Sequence, residues 1–183
     1  MIDPRHRELV REARRIAPPN VKVEYTDGTV IMQASPPNIH QLNLAHVRRQ
    51  FDAYVPPGFV DTGNTDLESP YVAMVRNPDL TYLPVEIMEG EGSTAPADAA
   101  LIAVEIVSPA NPWNDWDGKT RDYAAARIPL YLIVDARTSE ATLFSEPDGG
   151  RYHNRNDHAF GEKMRIPAPF DFALDLSVLK PYA

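Results

Sequence analysis

The sequence has no cysteine among its 183 residues, so disulfide bonds and thiolate zinc sites are excluded. It also lacks any stretch approaching the roughly 20 apolar residues that a membrane helix needs. The N-terminal segment MIDPRHRELVREARRI is charged from its start and has no apolar signal-peptide core. These absences favour a cytoplasmic protein that does not enter a membrane.

Positive charge is in short supply. The 18 lysines and arginines are outnumbered by 26 aspartates and glutamates, which gives a net charge of −8. This balance argues against a general nucleic-acid coat protein, whose affinity would rest on many phosphate contacts. It leaves a nuclease open, because a local basic groove can coexist with net negative charge. The length and the 43% hydrophobic content suit a single domain over residues 1–183.

Helix signals recur in three segments. Asp3 followed by Pro4 predicts a helix over about residues 3–16, whose arginines form either a solvated face or a phosphate-contacting one. Asn38 can cap a second helix that runs through residue 54. Its partial apolar stripe consists of Leu42, Ala45, His46 and Phe51. A third helix is expected over about residues 114–127.

Short apolar segments between these helices predict strands. LIAVEIV, residues 101–107, is the strongest, and its near-continuous apolarity is typical of a central strand. A hairpin is predicted over 21–34, with its turn at Asp27-Gly28. The other predicted strands are 59–61, 71–75, 79–83, 130–135, and edge strands around the turn at 149–150. Residues 89–99 have loop composition. The pattern predicts the α/β class, with a central mixed sheet flanked by helices.

Two acids stand out against this background. Glu105 interrupts the strongest strand, where a carboxylate is costly unless it is paired, protonated or bound to a metal. Asp79 opens another strand, directly after Pro78. Each acid alone is explained as well by a turn or capping role. On adjacent strands they would offer Mg²⁺ the oxygen ligands it prefers, and phosphodiester hydrolysis uses such a cation.

A lysine could reach the same place from the third helix. Asp115, Lys119 and Tyr123 follow one another at intervals of four, so they share a helix face. The spacing alone favours an exposed ion-pair ladder. However, the helix lies between two buried strands, which predicts a β-α-β crossover with one helix end near the carboxyl end of the Glu105 strand. A lysine there could hold the attacking water or stabilise developing negative charge.

An ordered series of motifs now resembles a known family. NPDL at 77–80, VEIVSP at 104–109, the spaced Asp115, Lys119 and Tyr123, and RIPLYLIVD at 127–135 are similar to the Uma-type putative restriction endonuclease family. This bacterial group lies within the PD-(D/E)XK nuclease superfamily. VEYTDGTV at 23–30 and SPPNIH at 35–40 extend the resemblance to roughly residues 20–180.

The resemblance implies a restriction-endonuclease-like core and a DNA endonuclease that depends on Mg²⁺ or Mn²⁺. Asp79 and Glu105 would ligate the metal, together with the backbone carbonyl of Ile106. Glu24 would be a further ligand or a water-mediated contact, and Lys119 would be the catalytic lysine. Supporting positions are matched by Asp115, Tyr123 and His40.

One departure from the superfamily matters for this assignment. The pattern E-x-K places a lysine two residues after the acid, where this sequence has Val107. Lys119 would then have to deliver its ammonium from the helix.

Three functions remain open at this point: an active endonuclease, a catalytically weakened nuclease fold that serves as a binding or regulatory module, and another metal-dependent phosphoesterase. A homodimer would be the simplest way to cut both DNA strands.

Overall fold

The computed structural model describes residues 3–19, 21–34, 36–63, 65–109 and 111–182. The helices of these ranges are α1 (Pro4–Ile16), α2 (Asn38–Asp52), α3 (Val85–Met88) and α4 (Thr120–Ala125), with a π-helical turn at Asn114–Lys119 leading into α4. Short 3₁₀ turns lie at Ala97–Ala99 and Leu176–Val178. The strands are β1 (Lys22–Thr26), β2 (Thr29–Gln33), β3 (Phe59–Thr62), β4 (Asp66–Glu68), β5 (Met74–Arg76), β6 (Leu80–Pro84), β7 (Thr94–Pro96), β8 (Ala103–Ile106), β9 (Leu130–Asp135), β10 (Glu140–Asp148), β11 (Arg151–Ala159), β12 (Lys163–Ile166) and β13 (Phe172–Asp175).

The strands form two mixed sheets and a small pair. The larger sheet has six strands in the order β11-β10-β9-β8-β6-β3, and the second has five in the order β2-β1-β5-β4-β7. β12 pairs with β13 alone. The predicted α/β class, with a central mixed sheet flanked by helices, is confirmed.

β8 is central, as its apolarity predicts. It pairs in parallel with β9 and antiparallel with β6. The segment between β8 and β9 contains the π-turn and α4, so the predicted β-α-β crossover is present. Side chains alternate across the strand, since Val104 and Ile106 join one buried apolar cluster whereas Ala103 and Val107 join the other. Glu105 therefore points toward the face that α4 covers.

The first helix agrees with its sequence signals. The Asp3 carboxylate accepts a hydrogen bond from the Arg5 amide at 2.8 Å, and Val10 and Ala13 are buried. Several α1 arginines pair with acids, including Arg7 with Glu68 and Arg14 with Asp66.

The second helix differs from its prediction in two respects. Asn38 is its first helical residue rather than its cap, because Pro37 occupies the cap position and makes no side-chain cap bond. The predicted apolar stripe is correct only at Phe51, since Leu42 and Ala45 are exposed and the buried residues are His40, Asn43, Val47 and Phe51. The helix turns polar groups inward, and Asn43 exchanges two hydrogen bonds with the backbone of Lys180.

Three other predictions need correction. The third helix is not regular, because its first turn is π-helical over Asn114–Lys119. Of the predicted strand at 71–75 only its end belongs to β5. The loop predicted at 89–99 contains β7, which pairs in parallel with β4. Ser35 and Ala110, within predicted turns, lie outside the described residues.

No helix in the described part of the chain combines the length and the apolarity that crossing a membrane requires.

Candidate active site

Three buried acids meet where the two mixed sheets adjoin. Glu24 lies on β1 of the five-stranded sheet, and Glu105 lies on β8 of the six-stranded sheet. Asp79 is in the short connection from β5 to β6, where the chain passes from one sheet to the other. Their exposed fractions are 0% for Glu24, 8% for Asp79 and 2% for Glu105. Such burial requires compensating charges or hydrogen bonds.

Asp79 is held from three directions. Its Oδ1 lies 2.8 Å from Lys22 Nζ, and its Oδ2 lies 3.0 Å from His40 Nε2. The Ile106 amide donates to the same Oδ2 at 2.9 Å, which ties Asp79 to the strand that contains Glu105. This last contact follows from the pairing of β6 with β8.

Glu105 has two partners, and both come from the helical segment after β8. Lys119 Nζ lies 2.9 Å from Oε2, and the Tyr123 hydroxyl donates to Oε1 at 2.7 Å. The side chain of Lys119 therefore does reach the buried acid of β8. The spacing of four residues that put Lys119 and Tyr123 on one face is what lets both contact one carboxylate.

Lys119 connects further acids around this pair. Its ammonium lies 3.1 Å from Asp115 Oδ1 and 3.5 Å from Glu24 Oε1. A lysine that is 1% exposed is thus surrounded by three carboxylates.

Arg76 is a second buried cation, next to Glu24 and Asp122. It donates to Asp122 Oδ2 from Nε at 2.9 Å and from Nη2 at 2.6 Å, and its Nη1 donates to Glu24 at 3.1 Å and to Asn114 Oδ1 at 3.0 Å. Glu24 also accepts a bond from the Asn77 amide. Glu24 therefore links the Arg76 contacts to Lys119.

These surroundings shift the pKa values in different directions. Burial, reinforced by Asp79 and Asp115, raises the pKa of Glu105 to about 8 despite the opposing effect of Lys119. Burial also disfavours the charged form of Asp79, but Lys22 and His40 outweigh it and hold the pKa of Asp79 below its ordinary value. The pKa of Lys119 lies well above its ordinary value, because its acidic neighbours outweigh desolvation.

A cleft of about 850 Å³ gives access to one side of this network. Lys22, Asn77 and Asp79 line it, next to basic side chains from α1 and α2. Asp79 thus faces the cleft, and its bond with the Ile106 amide joins it to β8 behind.

The donor chemistry suits a divalent cation, although no ready-made cage exists. Within the described ranges, no group of three or more His, Cys, Asp or Glu side chains is arranged to hold a metal ion. Five carboxylates nevertheless share the network with four Lys or Arg side chains among the described residues. The acids are Glu24, Asp79, Glu105, Asp115 and Asp122, and the basic residues are Lys22, Arg76, Lys119 and the half-exposed Arg121, which contacts Asp122. A bound cation would have to displace donors that now occupy each oxygen of Asp79 and Glu105.

The structure brings together the residues singled out in the sequence. They are Glu24, His40, Asp79, Glu105, Asp115, Lys119 and Tyr123, all in one contact network. Ile106 joins it through its amide, and the role predicted for its carbonyl stays a prediction.

Among the described residues, sequence reasoning missed five members of the network: Lys22, Arg76, Asn114, Arg121 and Asp122. Lys22 had a usable signal, because it lies two residues before Glu24 and shares its strand face. Arg76 had none, since its partners come from segments far apart in the chain.

Comparisons with known proteins agree with this architecture. The crystal structure of a putative nuclease belonging to DUF820 from Anabaena variabilis superposes with a TM-score of 0.71 and 13% sequence identity, over 93% of this chain and 96% of the other. The two chains therefore share a fold. Residues 10–178 match the model of the Uma2 family, described as "Putative restriction endonuclease", and the chain belongs to that family. No curated protein matches the chain.

Proposed function

We propose that this protein is a metal-dependent endonuclease that hydrolyses phosphodiester bonds in DNA, with residues 1–183 acting as one domain. The observation that supports it is the meeting of Asp79 and Glu105 beside Lys119, with Asp79 at a cleft. Two acids brought together by neighbouring strands can hold a metal ion that assists phosphoryl chemistry, and a buried lysine beside them can stabilise negative charge. A cytoplasmic location belongs to the same proposal, because bacterial DNA lies there.

Asp79 and Glu105 would hold Mg²⁺ or Mn²⁺, with the Ile106 carbonyl beside them. When bound, such a cation polarises a phosphoryl oxygen and makes water more acidic. Carboxylate and carbonyl oxygens are the ligands that these hard cations prefer.

The chain's own residues would fix the geometry of the site. His40 and the Ile106 amide orient the Asp79 carboxylate, and Tyr123 orients Glu105. Lys119 stays positively charged, so it can stabilise negative charge that develops on the phosphate. Glu24 and Asp115 hold the ammonium of Lys119 in position.

Cleavage of supercoiled plasmid DNA with Mg²⁺ or Mn²⁺ tests the proposal. Each of the near-isosteric variants Asp79→Asn, Glu105→Gln and Lys119→Met should lower the cleavage rate about 100-fold or more, because the first two replace a proposed metal-ligating carboxyl group and the third removes the buried ammonium. Matched controls that remove a surface charge are Asp148→Asn, Glu89→Gln and Lys163→Met, which should cleave like the wild type.

Two results would contradict it. If the purified protein cleaves no supercoiled, linear or single-stranded DNA, it is not an active endonuclease under these conditions. If cleavage survives in Asp79→Asn and Glu105→Gln, another site or a contaminant is responsible. The same gel reports on the homodimer that we also propose: paired sites convert supercoiled plasmid directly to linear product, whereas a single site accumulates nicked circles.

One observation favours a second candidate, a nuclease fold with weakened catalysis that acts as a binding or regulatory module. Lys22, His40 and the Ile106 amide occupy both oxygens of Asp79, and Lys119 and Tyr123 occupy both oxygens of Glu105. Calorimetric titration with Mn²⁺ separates the two. The weakened module predicts no saturable binding, whereas the endonuclease predicts binding that Asp79→Asn and Glu105→Gln abolish.

A further inference from the structure

Basic side chains line the cleft in front of Asp79. Lys22, Arg48 and Arg14 come from β1, α2 and α1, so three separate elements converge on one groove. The protein as a whole has a charge of −8, which makes this convergence a local feature.

Of these three cleft residues, Lys22 contacts a side chain of the candidate active site directly. Its ammonium contacts Asp79 Oδ1 at 2.8 Å and the Asn77 carbonyl at 3.4 Å, and 24% of its side chain is exposed. An ammonium has three N–H donors, so one is left for a group in the cleft. Lys119, by contrast, has a side chain that is only 2% exposed.

Arg48 lines the same cleft, close to the backbone of Asp79. A Cβ added at Gly63 would lie 2.9 Å from Arg48 Nη2 and 3.4 Å from the Asp79 carbonyl oxygen. Glycine at position 63 therefore leaves room for the guanidinium next to Asp79. Arg48 approaches Asp61 through Nε at 3.2 Å, which leaves the terminal nitrogens as donors.

Arg14 extends the basic lining toward α1. One terminal nitrogen pairs with Asp66, and Asp66 in turn accepts a hydrogen bond from the Asn77 side chain at 3.0 Å. Arg14 is thereby fixed to the segment that leads into Asp79, with 38% of its side chain exposed.

We infer that Lys22, Arg48 and Arg14 form a phosphate-binding track that holds the backbone of a nucleic-acid strand against Asp79. That the ligand is a nucleic acid rests on the proposed function. The phosphate-binding track itself is defined by the N–H donors of Lys22, Arg48 and Arg14. Phosphate oxygens accept hydrogen bonds from Lys and Arg, and such contacts position a strand without reading its sequence. Lys22 contacts the Asp79 carboxylate and, in this proposal, also a phosphate of the nucleic-acid strand. It therefore aligns that phosphate with the candidate active site.

Fluorescence anisotropy with short labelled DNA, single-stranded and duplex, tests the track in the presence of EDTA, where binding is measured without metal. Lys22→Met and Arg48→Gln should each weaken binding of all sequences alike. Each should also reduce the slope of log K against log salt, by about 0.9 on duplex and about 0.7 on single strands, because one fewer counterion is released. Gly63→Ala keeps every charge but displaces the Arg48 guanidinium, so it should weaken binding as well.

The chain offers close controls. Arg49→Gln removes the same charge one residue further along α2, outside the cleft lining, and Lys163→Met removes an exposed lysine on β12. Both should keep the wild-type affinity and slope. The track is refuted if these controls weaken binding as much as the cleft variants, or if Arg48→Gln and Gly63→Ala both bind like the wild type.

This experiment separates the track from the endonuclease. Salt slopes that fall only in the cleft variants, with cleavage insensitive to Asp79→Asn, would keep the track and reject the enzyme. Cleavage that depends on Asp79 and Glu105, with unchanged binding by Lys22→Met and Arg48→Gln, would keep the enzyme and reject the track.

Discussion

Among single residues, Glu105 has the largest consequence for the energetics of the chain. It is buried near Asp79 and Asp115, and burial raises its pKa from an ordinary value near 4.5 to about 8. Between these two values the folded chain keeps a proton that the unfolded chain loses. The free energy of unfolding should therefore fall as pH rises through this window, and this contribution is complete only below about pH 4.5.

Glu105→Gln is expected to remove this dependence, because an amide does not titrate. Urea denaturation at a series of pH values should show the wild type losing at most about 1.4 kcal/mol per pH unit from this group, relative to the variant. Glu89→Gln, an exposed control, should keep the wild-type profile. Identical profiles for wild type and Glu105→Gln would mean that Glu105 is ionised throughout the window.

Individual residues of the candidate site differ in how far the sequence could predict their place in it. The sequence singled out Asp79, Glu105 and Lys119, but the helix spacing alone favoured an exposed ion-pair ladder, and the family resemblance implied that the three share one site. Arg76 was not accessible, since its role depends on the pairing of β1 with β5, which is set by tertiary structure. A residue is predictable when local pattern determines its neighbours.

At the scale of elements, the π-helical turn before α4 determines how Lys119 enters the site. A π-turn is wider than an α-turn and is frequent at functional sites. Here it runs from Asn114 to Lys119, and both of these end residues belong to the buried network. Gly118 lies inside it, where an added Cβ would be 3.3 Å from Arg76 Nη2 and from Asn114 Oδ1.

Gly118→Ala is expected to destabilise the protein by about 1–3 kcal/mol, because fully buried Arg76 has little room to move away from the new methyl group. Denaturant midpoints measure this loss. Gly92→Ala is the control, since its Cβ would meet the Thr94 carbonyl at an ordinary 3.6 Å. Equal midpoints for Gly118→Ala and wild type would show that the turn can absorb the methyl group.

Elements with a strong local pattern were predicted well, and elements fixed by partners were not. β8 and β9 are near-continuous apolar runs, and their predicted places agree with the structure. β4 and β7 have three residues each and are fixed by pairing with strands distant in the chain, which composition does not show. The stripe on α2 was wrong except at Phe51, because the helix buries His40 and Asn43 for their polar contacts.

At the scale of the whole molecule, α2 ties the site to the C-terminal strand pair. Phe51 is fully buried near the end of this helix and packs edge-on against Phe170 and Phe172, with centroids 5.0 Å apart in both cases. The same helix supplies His40 to Asp79 and Arg48 to the cleft. Packing in one region therefore sets side-chain positions in another.

Phe51→Ala should cost about 3–5 kcal/mol of stability, through lost burial and the cavity left between α2 and β13. Leu42→Ala, at an exposed position of the same helix, should stay within about 0.5 kcal/mol of the wild type. Thermal or urea unfolding distinguishes them. A loss below about 1 kcal/mol for Phe51→Ala would mean that the core closes around the gap.

The fold class could be predicted because a helical segment joins two buried apolar strands, β8 and β9, which gives a β-α-β crossover. The division into two mixed sheets could not, since it depends on how β5 and β6, which are adjacent in sequence, separate between them. That separation is what puts Asp79 at the junction of the sheets.

The delivery of Lys119 from a helix has a consequence for biosynthesis. A lysine two residues after Glu105 would be made together with its acid, whereas Lys119 is added later and becomes effective only once the crossover has packed on β8. The site also needs β1 and the segment before β6, so its residues extend from Lys22 to Tyr123. An unfinished chain that stops before Lys119 thus has no complete centre, and any activity would begin only when translation and folding have passed this point.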